Sequence, residues 1–486
     1  MSYLKSFFSY KNPSSDHFVH LNMINKYREN NFQINLKNIN YFNQKYHHYP
    51  FFFHWILSKY FFKTVVNYPL LISYAINVLS FIFFNLFLSL VKNDYNFYEL
   101  FLLNVIKLIF PFSYIYWNAK NLGISGRAFG VLLGELFSYG LFFLVNYEDN
   151  FYVYVYLYII GFISLISSLF TFQFVYLISL IISIFLNNPI LFALMNLLFP
   201  GLILIFPNYG KDFIKGQLNH KINYSKYLAK VKLLKERKSI YRDFIYDFWV
   251  KMFLNFKKGL KYIFKNPIVE VIYGFPFLII YLFNIMFSNS SEFSIDLVIL
   301  SSLILFLLIC LRPFRFLGEP QRYIEFIIPL ISILFIKTTN PLIINLSILL
   351  SLVIIFLLKE VNKVQSNSGE ERQSISDYLI NNFDKDLIIT SNHVDYVKDL
   401  VPYFKVLKID LTKKYNSENE FKFFIKNDYT THSVEGLIDF NKNFKIDLLI
   451  IKKELYTDEE NKILFNNIKA SLIKAFDEYE IYKIKK

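Results

Sequence analysis

FQFVYLISLIISIFLNNPILFALMNLLFPGLILIF, residues 172–206, decides the fold class. The stretch holds no Asp, Glu, Lys or Arg, and its polar break is Asn187-Asn188-Pro189. A helix needs roughly 20 apolar residues to cross the hydrocarbon core of a bilayer. Two runs approaching that length, parted by a short turn, read as two membrane spans, one of which could be re-entrant.

The pattern repeats outward in both directions. Ten apolar spans are expected, near 68–91, 99–117, 127–146, 151–170, 172–187, 189–206, 268–287, 295–311, 324–336 and 341–358. Hydrophobic residues make up 54% of the 486, and 20% are aromatic. A soluble chain this apolar would lack polar surface to face water, so a polytopic α-helical membrane protein is the reading. The abundant Phe, Tyr, Ile, Asn and Lys also suit an AT-rich genome. The single cysteine, Cys310, rules out an intrachain disulfide or a cysteine metal site. Residues 1–15 lack the apolar core of a signal peptide.

Between spans the chain is basic. Formal net charge is +14. Residues 207–267 carry fifteen Lys and Arg against four Asp and Glu. Apolar residues recur among them at roughly helical spacing, as in a basic amphipathic helix on a membrane surface. The expected partner of this charge is anionic lipid, not nucleic acid. Residues 1–60 form a polar amino-terminal loop ending in an interfacial helix. Residues 61–359 form the membrane domain, 360–374 a polar linker, and 375–486 a soluble domain. In the last, short strand-like runs near Leu387, Val406, Leu448 and Tyr479 alternate with helical patterns, including one over 458–476. A small α/β domain with a mainly parallel sheet is expected. It has no Gly-rich phosphate loop.

Span counting sets the sidedness. Six spans separate the amino-terminal loop from the basic segment, two more lead to the loop at 312–323, and two more to the carboxy-terminal domain. All four polar regions then share one membrane face.

The amino-terminal loop holds the first candidate chemistry. Five of the eight histidines lie between residues 16 and 54. Asp16 and His20 share a helical face if that segment is helical. The carboxylate could take a proton from a hydroxyl, or hold a divalent ion such as Mg or Mn with His20. The plainer reading makes Asp16 a helix cap. His47, His48 and His54 lack a companion carboxylate at metal-ligand spacing, and aromatic and histidine residues also gather at membrane interfaces without catalysis. In the loop at 312–323, Arg312, Arg315 and Arg322 join Glu319 and Tyr323. Guanidinium forks suit phosphate oxygens, although an ordinary basic loop between spans looks the same. Within the spans, Lys107, Glu135 and Glu270 are the ionisable residues that stand out; Glu270 is near enough to a span end to snorkel, and mid-span Glu135 pairs most simply with Lys107 of the neighbouring span.

Taken in order, these features resemble one family. An early loop carries an Asp with His four residues later. Tyr49-Pro50 and His54 precede the membrane. Phe110 to Trp117 and a small-residue span from Gly126 come next, then a Gly318-Glu319-Pro320 loop with Arg322-Tyr323, and a terminal α/β domain. The chain resembles the GT-C superfamily of polytopic glycosyltransferases, which use polyprenyl-phosphate-linked sugars. That resemblance implies Asp16 as catalytic base or metal-coordinating group, with His20, Tyr49, His54 and Glu319 in support. It implies Arg312, Arg315, Arg322 and Tyr323 around the donor phosphate. It also implies an inverting transfer of a hexosyl or pentosyl group to a glycan, lipid or protein, at the extracytoplasmic face of the plasma membrane. The carboxy-terminal domain is expected to bind acceptor or a partner protein. Two other functions share the architecture. A polysaccharide polymerase or ligase would use a lipid-pyrophosphate oligosaccharide. A transporter or lipid flippase would show inverted repeats.

Overall fold

The computed structural model describes residues 15–36, 41, 43–46, 49–91, 95–114, 124, 126–147, 150–223, 225–226, 253, 266–287, 293–365, 370–415, 417–426 and 431–485. The side chains of Asp16, Arg312 and Arg315 lie outside the description, as do His47 and His48 and most of the basic segment after residue 226.

Helix α1 (Ser15–Glu29) lies in the polar amino-terminal segment. Helix α2 (Phe52–Tyr60) and α3 (Phe62–Asn67) lead to the first span, α4 (Pro69–Leu90), where a proline occupies the first turn, a position whose N–H has no partner anyway. Helix α5 (Phe97–Leu108) starts from a reciprocal Asn96–Glu99 capping box. The next four are α6 (Gly126–Asn146), α7 (Phe151–Ser167), α8 (Leu169–Phe185) and α9 (Ile190–Ile205). Helix α10 (Pro207–Asn223) then leaves the spans. Later come α11 (Pro267–Gly274), α12 (Pro276–Phe287), α13 (Phe293–Cys310), the short α14 (Arg322–Glu325), α15 (Ile328–Thr338) and α16 (Pro341–Gln365).

Each expected span has a helical counterpart, but prolines reshape several. A proline cannot donate to the helical ladder and clashes with the preceding turn. The second span therefore stops at Leu108 and gives way to a 3-10 turn at Pro111–Tyr114, and the seventh divides at Pro276. The tenth runs beyond Leu358 to Gln365, into the stretch expected as linker.

The helix α6 is the hub. Within its span 83% is buried, against 28% for α4 and 22% for α16. Its glycines allow this. A Cβ on Gly130 would collide with Thr171 Oγ1, and one on Gly134 would collide with the Phe326 ring. Small residues at this spacing let membrane helices approach closely. Lys107 on α5 and Glu135 on α6 do pair, at 3.0 Å, with Ser80 Oγ of α4 donating to the same carboxylate at 2.5 Å. The lysine also donates to Ser80 O at 2.9 Å. Three spans are thus tied at one buried point.

The carboxy-terminal domain is α/β, with α17 (Glu370–Asn382), β1 (Ile388–Ser391), α18 (Val394–Leu400), β2 (Lys405–Val406), α19 (Glu418–Lys422), α20 (Val434–Phe444), β3 (Leu448–Lys452), α21 (Asp458–Asn467), β4 (Ala470–Ala475) and β5 (Tyr479–Ile484). The sheet order is β2-β1-β3-β5-β4. Strands β1, β2 and β3 are parallel, but β5 runs antiparallel to both β3 and β4. The sheet is therefore mixed, not mainly parallel. The helical pattern expected over 458–476 is a helix only to Asn467. Strand β4 takes up the rest of that stretch and pairs with β5 as a hairpin, because tertiary pairing overrides a weak local periodicity.

This domain is seated on the membrane domain through polar contacts. Asn43 Nδ2 donates to Lys408 O at 2.7 Å, and Lys45 N to Asp410 Oδ2 at 2.9 Å. From α10, Asn223 Nδ2 donates to Leu411 O and Lys413 O at 2.8 and 2.7 Å, and Asn219 Nδ2 to Thr412 O at 2.9 Å. Helix α1 lies between α2 and α18.

Candidate active site

One cavity of about 220 Å³ gathers residues from across the sequence. Its walls include Val19 and His20 of α1, Tyr49 and Pro50, His54 of α2, and Gly126 and Arg127 at the start of α6. The junction of α7 and α8 contributes Ser167 to Phe170 and Gln173, α10 contributes Lys221, and the loop after α13 contributes Leu317. The contributing links come after the second, fourth, sixth and eighth spans, and the carboxy-terminal domain comes after the tenth. Even-numbered links meeting in one place is the geometry that span counting anticipates.

Backbone chemistry shapes each wall. Pro50 precedes α2 and its carbonyl engages His54 Nδ1 at 3.3 Å. Gly126 lets α6 begin against α7, since a Cβ there would stand 3.0 Å from Ser167 O and 3.8 Å from the His54 ring. Ser168 is extended, at φ −150° and ψ 104°, and this break between α7 and α8 turns both serines toward the cavity. Gly318 sits at φ +113°, a conformation glycine adopts without strain, next to Phe170.

His20 and His54 stack, with centroids 4.9 Å apart, and His20 Nδ1 lies 2.7 Å from His54 Nε2. One of these nitrogens carries the proton and the other accepts it. Burial pushes His54 down to about 4, so it is neutral at pH 7. His17, whose Nδ1 accepts from Ile124 N at 3.2 Å, is likewise held near 4 by burial.

The charged groups on the wall are Arg127 and Lys221. No Asp or Glu is among the described residues that line the cavity. Lys221 is held by Gln173. With its amide in the orientation that satisfies all partners, Gln173 accepts from Lys221 Nζ at 2.6 Å and donates to Leu317 O at 3.0 Å and to Tyr323 Oη at 3.2 Å. Ser167 Oγ is buried on the cavity wall with no hydrogen-bond partner among the described residues. A buried hydroxyl in that position is ready for a polar ligand.

The sequence-predicted residues divide into three groups. His20, Tyr49 and His54 line the cavity. Glu319, Arg322 and Tyr323 stand behind its wall. Arg322 is ion-paired with Glu319, and its guanidinium lies 5.8 Å from the ring of Phe170, a wall residue. Tyr323 is fully buried and meets the wall from behind, through Gln173, Leu317 O at 3.1 Å and the Phe170 ring. The third group is Asp16, Arg312 and Arg315, whose backbones alone are described. Asp16 is in the first turn of α1, one turn before His20, and Arg312 and Arg315 are in the 3-10 turn that ends at Leu317. Sequence reasoning missed Arg127, Ser167, Gln173 and Lys221 as site residues. Arg127 carried a signal, as the one cation in its span. Gln173 is a polar residue in the first turn of another.

No group of three His, Cys, Asp or Glu able to hold an ion is found among the described residues. The Nδ1 of His20 is already engaged by His54.

No family model matches the chain, and no curated protein matches its sequence. Solved structures do match its fold. ArnT from Cupriavidus metallidurans in the apo state aligns with a TM-score of 0.54 at 8% identity, over 97% of this chain and 93% of that one. The same protein bound to undecaprenyl phosphate aligns with a TM-score of 0.54 at 9% identity, over 96% and 93%. The superposition spans both the bundle of apolar helices and the small carboxy-terminal sheet. The chain therefore has the polytopic GT-C fold.

Proposed function

We propose that the chain is an integral-membrane glycosyltransferase that takes a sugar from a polyprenyl-phosphate carrier. The observation that carries this is the cavity beneath α1. It is walled by two cations and no described carboxylate, holds a buried hydroxyl without a described partner, and lies in a fold shared with a protein solved with undecaprenyl phosphate. The phosphate of the donor is assigned to Arg127 and Lys221. Arginine offers a planar fork and lysine a point charge, and both stabilise the negative charge that grows on the phosphate as the glycosidic bond breaks. Gln173 positions Lys221, and Tyr323 positions Gln173. Arg322 and Glu319 brace Phe170 and the loop.

Asp16 is assigned as the general base. It accepts the proton of the acceptor hydroxyl as that oxygen attacks the anomeric carbon and the carbon–oxygen bond to the phosphate breaks. A single displacement of this kind inverts the anomeric centre. Its position four residues before the cavity-lining His20 in α1 supports this reading. The stacking of His20 on the His54 ring fixes α1 against α2. The transferred group is a hexose or pentose, and the site faces the extracytoplasmic side of the plasma membrane.

The test uses purified full-length chain in detergent. Undecaprenyl phosphate binding is expected to weaken ~10–100-fold in Arg127→Gln and in Lys221→Gln, the range of one lost charge-assisted hydrogen bond. Asp16→Asn is expected to keep that binding and abolish transfer in membranes. Unchanged binding in both cation variants would overturn the phosphate assignment, and full transfer by Asp16→Asn would overturn the base.

A further inference from the structure

The loop after β2, residues 408–413, gives its main chain to other parts of the molecule. Asn43 Nδ2 donates to Lys408 O at 2.7 Å. Asn219 Nδ2 donates to Thr412 O at 2.9 Å, and Asn223 Nδ2 to Leu411 O and Lys413 O at 2.8 and 2.7 Å. The loop is also braced from within and from the amino-terminal segment. Asp410 Oδ1 accepts from Thr412 N at 2.9 Å and Thr412 Oγ1 at 2.6 Å, and Oδ2 accepts from Lys45 N at 2.9 Å. Tyr46 N donates to Thr412 Oγ1 at 3.2 Å. Thr412 and Asn223 are each 1% exposed, so these bonds are shielded from water. A buried carbonyl without a donor is costly, and the loop therefore holds the groups that serve it as firmly as they hold the loop.

On α10 the two asparagines are four residues apart and share one face. Lys215, one turn earlier on that face, places its ammonium 5.0 Å from the Tyr46 ring. Lys221 falls midway between Asn219 and Asn223, so the helix turns it to the opposite side. There its Nζ donates to Gln173 Oε1 at 2.6 Å, on the wall of the first cavity. The end of α10 is thus gripped from both sides, by the loop at 408–413 on one face and by Gln173 on the other. A lysine is a point charge on a flexible stem, and it meets a phosphate in a defined place only when the backbone that carries it is fixed.

We propose that the loop at 408–413 is a positioning element of the donor site, and that Asn219 and Asn223 are the residues through which it sets Lys221. The inference rests on the reading of the first cavity as the donor site and deepens it. Neither asparagine lines that cavity. They act through the backbone of α10, fixing the point from which the Lys221 stem reaches Gln173 and the phosphate. The segment at 43–46, held by the same loop, does the same for Tyr49 and Pro50, which follow it closely. The donor site is then complete only with the carboxy-terminal domain seated, although that domain contributes no described residue to the cavity wall.

The experiment uses the full chain in detergent and two readouts, the affinity for undecaprenyl phosphate and the rate at which acetic anhydride acylates Lys221, followed by mass spectrometry. The double variant Asn219→Ala/Asn223→Ala is expected to bind undecaprenyl phosphate roughly 10-fold more weakly and to acylate Lys221 faster by a similar factor, the effect of losing the buried hydrogen bonds that hold α10. Lys107, sealed in the bundle, should stay unreactive, which shows that the chain is still folded. In the Lys221→Gln background the same two changes should alter undecaprenyl phosphate binding by less than about twofold, since the lysine through which they act is gone. An equal loss in both backgrounds would overturn the proposal, because the asparagines would then support the site in general. Unchanged binding in the asparagine variant, where Lys221→Gln does weaken it, would overturn it too. Asn219 is half-buried, so Asn219→Ala alone carries the test if the double variant fails to fold. Unchanged binding in Lys221→Gln itself would overturn the donor reading of that lysine. The acylation rate then decides the clamp alone, which a rise upholds and no change overturns.

Discussion

His432 shows how a single buried histidine sets a pH response. Its Nδ1 lies 2.7 Å from Ser391 O and its Nε2 accepts from Ile409 N at 3.4 Å. That pattern fixes the neutral tautomer, since a proton on Nε2 would face another donor. Burial holds His432 near 4, as it does His17 and His54. In the unfolded chain each would titrate near 6.5. Between those values the unfolded state binds protons that the folded state refuses, so stability falls as pH drops from about 6.5 to about 4. The limiting slope is ~1.4 kcal/mol per pH unit for each histidine. Denaturation of the detergent-solubilised chain at pH 7 and pH 5 checks this. His432→Gln should flatten the slope for unfolding of the carboxy-terminal domain. An unchanged slope would show that His432 does not contribute to it.

At the scale of elements, the Lys107–Glu135 pair is the clearest case of one contact organising several helices. It joins α5 to α6 and recruits Ser80 of α4. Each partner is 5% exposed in its side chain. Losing one partner strands the other charge, which typically costs ~3–5 kcal/mol, whereas replacing both with apolar groups of similar volume is often near neutral. Lys107→Met and Glu135→Leu singly should therefore lower the thermal midpoint sharply, and the double variant should recover most of the loss. A strictly additive double variant would show that the pair does not act as a unit. The pairing was legible in sequence, because two opposite ionisable residues within neighbouring spans had little alternative. The glycines of α6 were legible only as a small-residue span. Which helix each would admit depended on Thr171, Ser168 and Phe326, from other parts of the chain.

The whole molecule is a bundle of apolar helices with the carboxy-terminal α/β domain fastened at one end. Asn223 is 1% exposed and satisfies two carbonyls of the carboxy-terminal domain. Asn223→Ala should loosen the seam by leaving both carbonyls without that donor. The expected readout is faster limited proteolysis after α16. Protection equal to wild type would show that the contacts through Asn43 and Lys45 suffice.

The sequence by itself determined the ten apolar spans, the small α/β domain, and the meeting of the polar links at one end. These follow from length and hydropathy, because the bilayer sets how long an apolar helix must be and the alternation of spans sets the side on which each link emerges. It also singled out His20, Tyr49 and His54, which line the candidate cavity. Only the tertiary structure decided that Arg127 and Lys221 face the cavity while Arg322 and Tyr323 stand behind its wall. Arginine reads the same in sequence whether it meets a ligand or a nearby Glu319. The distinction arises where α6, α8 and α10 converge, and residues so far apart in the chain carry no local signal of which will touch.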